Sequence, residues 1–202
     1  MNRSFIDHDL LKRFGYHFNQ PDSLIQLTLG YRFNQSLHPG TLSTRLVKLT
    51  FGSQFDQLIP LGTLPDTLLH LVFGYYFNQP LAPRVLPKNL VRLSFGHDFN
   101  QSLGPNVLPD NLVWLTFGST FNQPLHLDVL PTTLERLIFG YQFNQPLRVG
   151  VLPSSLRRLH LGYHFNQPLP LGVLPDNLLH VTFGNTCYDS SRPHYPSAVV
   201  RC

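Results

Sequence analysis

The chain has 202 residues, 42% of them hydrophobic, 12% aromatic and only 13% charged, which supplies a core and excludes a highly charged disordered segment. Its net charge of +4 and pI near 9.3 bear on partners only if the charges gather on one face. No apolar run approaches the roughly 20 residues that cross a bilayer, and Asp7, His8 and Asp9 interrupt the N-terminal apolar stretch, so neither a membrane span nor a signal peptide is expected.

In chain order, residues 1–13 read as an N-terminal cap, with Phe5, Ile6, Leu10, Leu11 and Phe14 as covers for the first apolar layer and a short helix as the expected form. From 14 to 186 the chain repeats itself. Phe-Asn-Gln or a close variant starts at Phe33, Phe55, Phe77, Phe99, Phe121, Phe143 and Phe165, at intervals of 22 residues, after a shortened first unit at Phe18. Leu-Pro follows at Leu64, Leu86, Leu108, Leu130, Leu152 and Leu174, then Leu-x-x-Leu-x-Phe-Gly. The first leucine of that phrase and its closing glycine recur without exception from Leu24 to Leu178 and from Gly30 to Gly184.

Each unit carries one strand signal. In Leu46-Val47-Lys48-Leu49-Thr50-Phe51, Lys48 and Thr50 point out while Leu49 and Phe51 point in, the period of a half-buried strand. A lone strand cannot cover its apolar face, so the units must stack as a parallel sheet, burying Leu49, Leu71, Leu93, Leu115, Leu137 and Leu159 in one column. Gly52 and its equivalents mark a corner needing positive φ or close backbone approach. The Phe of Phe-Asn-Gln should form an aromatic column, and Asn34, Asn78, Asn100, Asn122, Asn144 and Asn166 an asparagine ladder, with Asp56 keeping the acceptor in its rung. Leu-Pro-Asp predicts an Asx-type turn before each strand, and the return segments carry no helical period. The fold class is therefore all-β, a right-handed, parallel-strand solenoid of tandem 22-residue repeats, expected to be monomeric.

The tail 187–202 leaves the pattern and reads as a partial cap or a loose segment. Cys187 and Cys202 lie there, outside the repeats. They read as free thiols in a reducing compartment, with a terminal disulfide as the alternative. The sequons Asn34-Gln35-Ser36 and Asn100-Gln101-Ser102 fall on a repeat-core position that has no room for a glycan, which favours a cytoplasmic location, the host cytoplasm if the chain is viral.

These phrases resemble the FNIP repeat, a leucine-rich-repeat-like unit named for Phe-Asn-Ile-Pro and found in social amoebae and giant viruses of amoebae. Here the phrase reads Phe-Asn-Gln-Pro or Phe-Asn-Gln-Ser, and the likeness covers about residues 14–186. The resemblance implies a protein-interaction solenoid, and in many viral members the substrate-reading half of an F-box ubiquitin-ligase adaptor. Residues 1–13 are too short for an F-box, so none is expected here.

Repeat proteins commonly bind through the face their strands share. The column before the second strand leucine reads Gln26, Lys48, His70, Arg92, Trp114, Arg136, Arg158 and His180, with four fixed cations and no acid. The next outward column is Thr28, Thr50, Val72, Ser94, Thr116, Ile138, His160 and Thr182. After the glycine come Tyr31, Ser53, Tyr75, His97, Ser119, Tyr141, Tyr163 and Asn185, so that aromatic residues are expected to border the basic column. The candidate contact set is Lys48, His70, Arg92, Trp114, Arg136, Arg158, His180, Tyr75, Tyr141 and Tyr163, for an acidic protein partner. The alternatives are a structural or decoy repeat protein whose Lys and Arg only keep the sheet soluble, and a weak nucleic-acid binder. No enzyme, cofactor or metal is expected. The only Glu is Glu135, no nucleophile or phosphate-loop motif occurs, and His160 has only His164 or His180 as nearby co-ligands.

Overall fold

The structure, a computed structural model, describes residues 3–6, 23–184 and 200–201. Ten short strands form one sheet in chain order: β1 (Arg3–Ile6), β2 (Gln26–Leu29), β3 (Lys48–Thr50), β4 (His70–Val72), β5 (Arg92–Ser94), β6 (Trp114–Thr116), β7 (Arg136–Ile138), β8 (Arg158–Leu161), β9 (His180–Phe183) and β10 (Val200–Arg201). Every neighbouring pair is parallel. No helix occurs among the described residues, which form a leucine-rich-repeat-like β-solenoid. The helix expected near the N-terminus gives way at Arg3–Ile6 to a strand paired with β2. Leu10, Leu11, Phe14, the first repeat mark at Phe18, Asn185, Cys187 and Cys202 lie outside the described residues.

Between β2 and β9 the register advances by one repeat per strand, aligning Leu27, Leu49, Leu71, Leu93, Leu115, Leu137, Leu159 and Val181. All are buried. The aromatic column is there and is double. Phe55, Phe77, Phe99, Phe121 and Phe143 stack at about 6 Å from repeat to repeat, and each lies against the strand-end Phe of its own repeat, as in Phe95–Phe99 at 3.8 Å and Phe139–Phe143 at 3.7 Å. Burying a phenylalanine contributes about 2–3 kcal/mol, so this double column is the largest apolar contribution of each turn.

The strand-end glycines have the second of the two expected causes. A Cβ on Gly118 would sit 1.6 Å from the Gly96 carbonyl oxygen, and one on Gly74 1.8 Å from that of Gly52. Close backbone approach, not positive φ, excludes side chains here.

The asparagine ladder also forms. Asn78 Oδ1 accepts the Asn100 N–H at 2.9 Å, Asn100 Oδ1 that of Asn122 at 2.9 Å, and Asp56 Oδ1 that of Asn78 at 2.9 Å. The same oxygens accept the glutamine amides one residue on, Gln79 Nε2 on Asp56 at 2.9 Å and Gln123 Nε2 on Asn100 at 3.1 Å, so the Gln of the phrase is a second rung.

The return side holds three features that the sequence reading did not single out. Before each strand, the Pro carbonyl accepts the Leu N–H, Pro65 to Leu68 at 3.0 Å for example, so a backbone bond closes the turn where an Asx turn was expected, and Asp66, Asp110 and Asp176 stand exposed. The residue after each Asp position reaches back one repeat to a main-chain carbonyl: Asn89 to Asp66, Asn111 to Lys88, Ser155 to Leu134. Third, positive φ recurs every 22 residues at Gly40, Gly62, Arg84, Asn106, Asp128, Gly150 and Gly172. Bonds such as Thr63 N–H to the Pro60 carbonyl at 3.2 Å close these tight turns, and Pro39, Pro83 and Pro105 stand at the preceding position, where a type II turn favours proline. Thr63 begins the return segment where Val85, Val107, Val129, Val151 and Val173 stand in later repeats, and its buried Oγ1 has no partner.

Candidate functional site

The outward column lies in unbroken register. Gln26, Lys48, His70, Arg92, Trp114, Arg136, Arg158 and His180 are successive cross-strand neighbours. Between β2 and β9 the row spans about 34 Å at ~4.8 Å per strand. Lys48, Arg92 and Arg158 are exposed, while His70, Trp114, Arg136 and His180 are partly covered by their neighbours.

Among the described residues the ion pairs are Lys88–Asp66 and His97–Asp98, so no carboxylate is paired with Lys48, Arg92, Arg136 or Arg158. The repulsion within the row is moderated at its centre. The guanidinium carbons of Arg92 and Arg136 lie 4.9 and 4.1 Å from the Trp114 ring centroid, one from each neighbouring strand. Each such contact is worth about 0.5–1 kcal/mol at an exposed site. The indole itself is held by Nε1–H donating to Thr116 Oγ1 at 3.1 Å. This clamp was not legible from residue types alone, although Trp114 flanked by Arg92 and Arg136 at intervals of 22 residues is the signal that finds it.

Desolvation, then the charges of Arg92 and Lys48 on either side, hold His70 below its ordinary pKa. Burial and the charge of Arg136 lower His160, whose Nδ1 is 2.6 Å from Thr182 Oγ1. Both effects show that the face already carries as much positive charge as it readily accepts. Among the described residues no three His, Cys, Asp or Glu side chains gather as a metal site, and no helix is long and apolar enough to cross a membrane.

Tyr75, Tyr141 and Tyr163 stand beyond the glycine corner, with the Thr-rich column between them and the basic row. Tyr141 stacks on Tyr163 at 4.9 Å and Tyr75 on His97 at 4.4 Å. With Ile138 and His160 opposite, they wall a depression of about 590 Å³ over the glycine corner. It exists because Gly96, Gly118, Gly140 and Gly162 carry no side chains to fill it. A depression of equal size lies on the return side, between Arg84, Lys88, Asp66 and Asp110. There Lys88 pairs with Asp66 at 3.6 Å, so part of its charge is compensated internally. The strand face, with cations and no carboxylate partner, is the better candidate.

Beside the basic row runs a half-exposed aliphatic strip, Val47, Leu69, Val91 and Val113, which the sequence reading passed over. It ends at Glu135 and Arg157, where the column turns polar.

Comparison with known proteins places this architecture. The FNIP Repeat family matches residues 19–54, 33–76, 55–98, 77–120, 99–142, 121–164 and 143–186. Among solved structures, the crystal structure of CroV588, described as a novel circular LRR protein, from the giant virus CroV, is similar at 45% identity with a TM-score of 0.80 over 81% of this chain. The present chain spans 24% of that protein's length. No curated protein matches the chain.

Proposed function

The chain belongs to the FNIP-repeat family, and on that premise we propose that it is a non-catalytic scaffold whose strand face, from Lys48 to His180, binds an acidic protein. One observation carries this reading: four fixed cations in strand register, none paired with a carboxylate among the described residues. A cationic row speeds encounter with an acidic partner and disfavours basic ones. The aromatic clamp at its centre supplies the Arg and Trp side chains that commonly anchor interfaces. If the chain serves a ubiquitin-ligase adaptor, this face is the part that would read the substrate.

The test is comparative capture. Wild-type chain and an Arg92→Glu/Arg136→Glu/Arg158→Glu variant are immobilised in parallel at about 0.15 M salt, where the Debye length is ~8 Å, and the retained proteins are identified by mass spectrometry. A set of acidic proteins held by the wild type and lost by the variant is the expected result. Identical sets on both would remove the strand face from consideration, and salt-sensitive retention of RNA or DNA in their place would make the chain a nucleic-acid binder.

A further inference from the structure

The spacing of the cations specifies the shape of the ligand as well as its charge. Lys48, Arg92 and Arg136 occupy alternate strands, β3, β5 and β7, and Arg158 follows on β8 beside Arg136. Alternate strands of a sheet are about 9.6 Å apart. A peptide crossing the strands at right angles must therefore present its charges at that interval on one side. A β-strand cannot do so, because its same-side residues recur every ~6.7 or ~13 Å. A polyproline II segment does: three residues make one turn and rise about 9.3 Å, which places every third side chain on the same edge.

We propose that the strand face binds an acidic segment in the polyproline II conformation, with a carboxylate at every third residue. Three carboxylates meet Lys48, Arg92 and the adjacent Arg136–Arg158 pair in turn. The register of β3 to β8 sets the interval and the Trp114 clamp holds the middle of the row. With one face of each guanidinium against the indole, Arg92 and Arg136 have fewer rotamers to lose on binding, and their N–H edges remain available to a carboxylate. The aliphatic strip from Val47 to Val113 offers apolar contact to residues between the acids. A segment of this kind loses little conformational entropy, because it is extended before it binds. This inference rests on the strand-face reading given above.

The experiment uses two peptides of identical composition, charge and backbone habit, Glu-Pro-Pro repeated three times and Glu-Glu-Glu followed by six prolines, with Gln-Pro-Pro repeated three times as the neutral control. Trp114 is the only tryptophan of the chain, so its emission reports on the centre of the row directly. Fluorescence polarisation of labelled peptide gives the affinity. The spaced acidic peptide is expected to bind at least tenfold more tightly than the clustered one and to shift Trp114 emission. Arg92→Gln/Arg136→Gln should abolish that preference with an unchanged thermal melt. If both acidic peptides bind equally and both are lost in the variant, the spacing proposal is overturned while the strand face stands as an acidic-ligand site. If neither acidic peptide binds, or binding is indifferent to the variant, the spacing proposal and the strand-face reading fail together.

Discussion

Two turns of the same repeat, the corner after the strand and the turn on the return side, both carry glycine, for different reasons and with different tolerance. At the corner, glycine is invariant from Gly30 to Gly184, because the carbonyl of the repeat below occupies the space of a Cβ. On the return side the requirement is a positive φ, and Arg84, Asn106 and Asp128 meet it in place of glycine. A steric collision with backbone has no inexpensive relief. A left-handed conformation costs about 1–2 kcal/mol, which a many-turned stack can absorb. Identity is conserved along this stack where neighbouring turns touch, and it drifts where a residue strains only itself.

The contrast is sharpest when the same substitution is made at both sites. Gly118→Ala should cost more than about 4 kcal/mol, or prevent folding outright, because its Cβ meets backbone. Gly62→Ala, in open space at φ +79, should cost only about 1–2 kcal/mol. Equal losses in urea denaturation would erase the distinction. Next in size, Asn100→Ala leaves the Asn122 N–H and the Gln123 amide without their acceptor and should cost about 2 kcal/mol.

Two changes on the tolerant side should raise stability. Arg84→Gly relieves a positive φ, and Thr63→Val removes a buried hydroxyl without a partner, each worth about 1 kcal/mol as an upward shift in melting temperature. If Arg84→Gly destabilises, its side chain has a role at the return-side depression that the backbone account omits.

The smallest effect is on pH. His70 and His160 are held below 6.5, so the folded chain binds fewer protons than the unfolded one, and stability falls as pH drops below that value towards their folded pKa. A His70→Gln/His160→Gln variant should show a shallower decline over that interval in thermal melts, and an unchanged slope would indicate that the row does not perturb its histidines.

Much of this was legible in the sequence. Alternation of period two across Lys48-Leu49-Thr50-Phe51, combined with the interval of 22 residues, gave the strands, their register and the inner columns, since a parallel stack places equal positions side by side. The asparagine ladder followed from residue type. The positive-φ column stayed hidden because its identities differ: Gly40 and Gly62 share a backbone conformation with Arg84, which resembles neither. The back-reaching ladder was hidden likewise, since Thr, Asn and Ser alternate in it. At the strand face the sequence identified the row but not the clamp. That the two guanidiniums lean onto Trp114 depends on side-chain torsions, which no spacing encodes.

The sheet also has a mechanical consequence. Its strands run side by side along the stack, and each is tied to its neighbours by main-chain and ladder bonds of nearly uniform length. A force drawing the two ends of the chain apart along that axis loads the outermost bonds first, and when they part a whole turn of 22 residues comes loose, up to about 75 Å of extended chain at ~3.4 Å per residue. The turn beneath then stands at the edge in the same geometry. Such a molecule yields like a zip, in equal steps, and each step dissipates work while the turns behind it keep their shape.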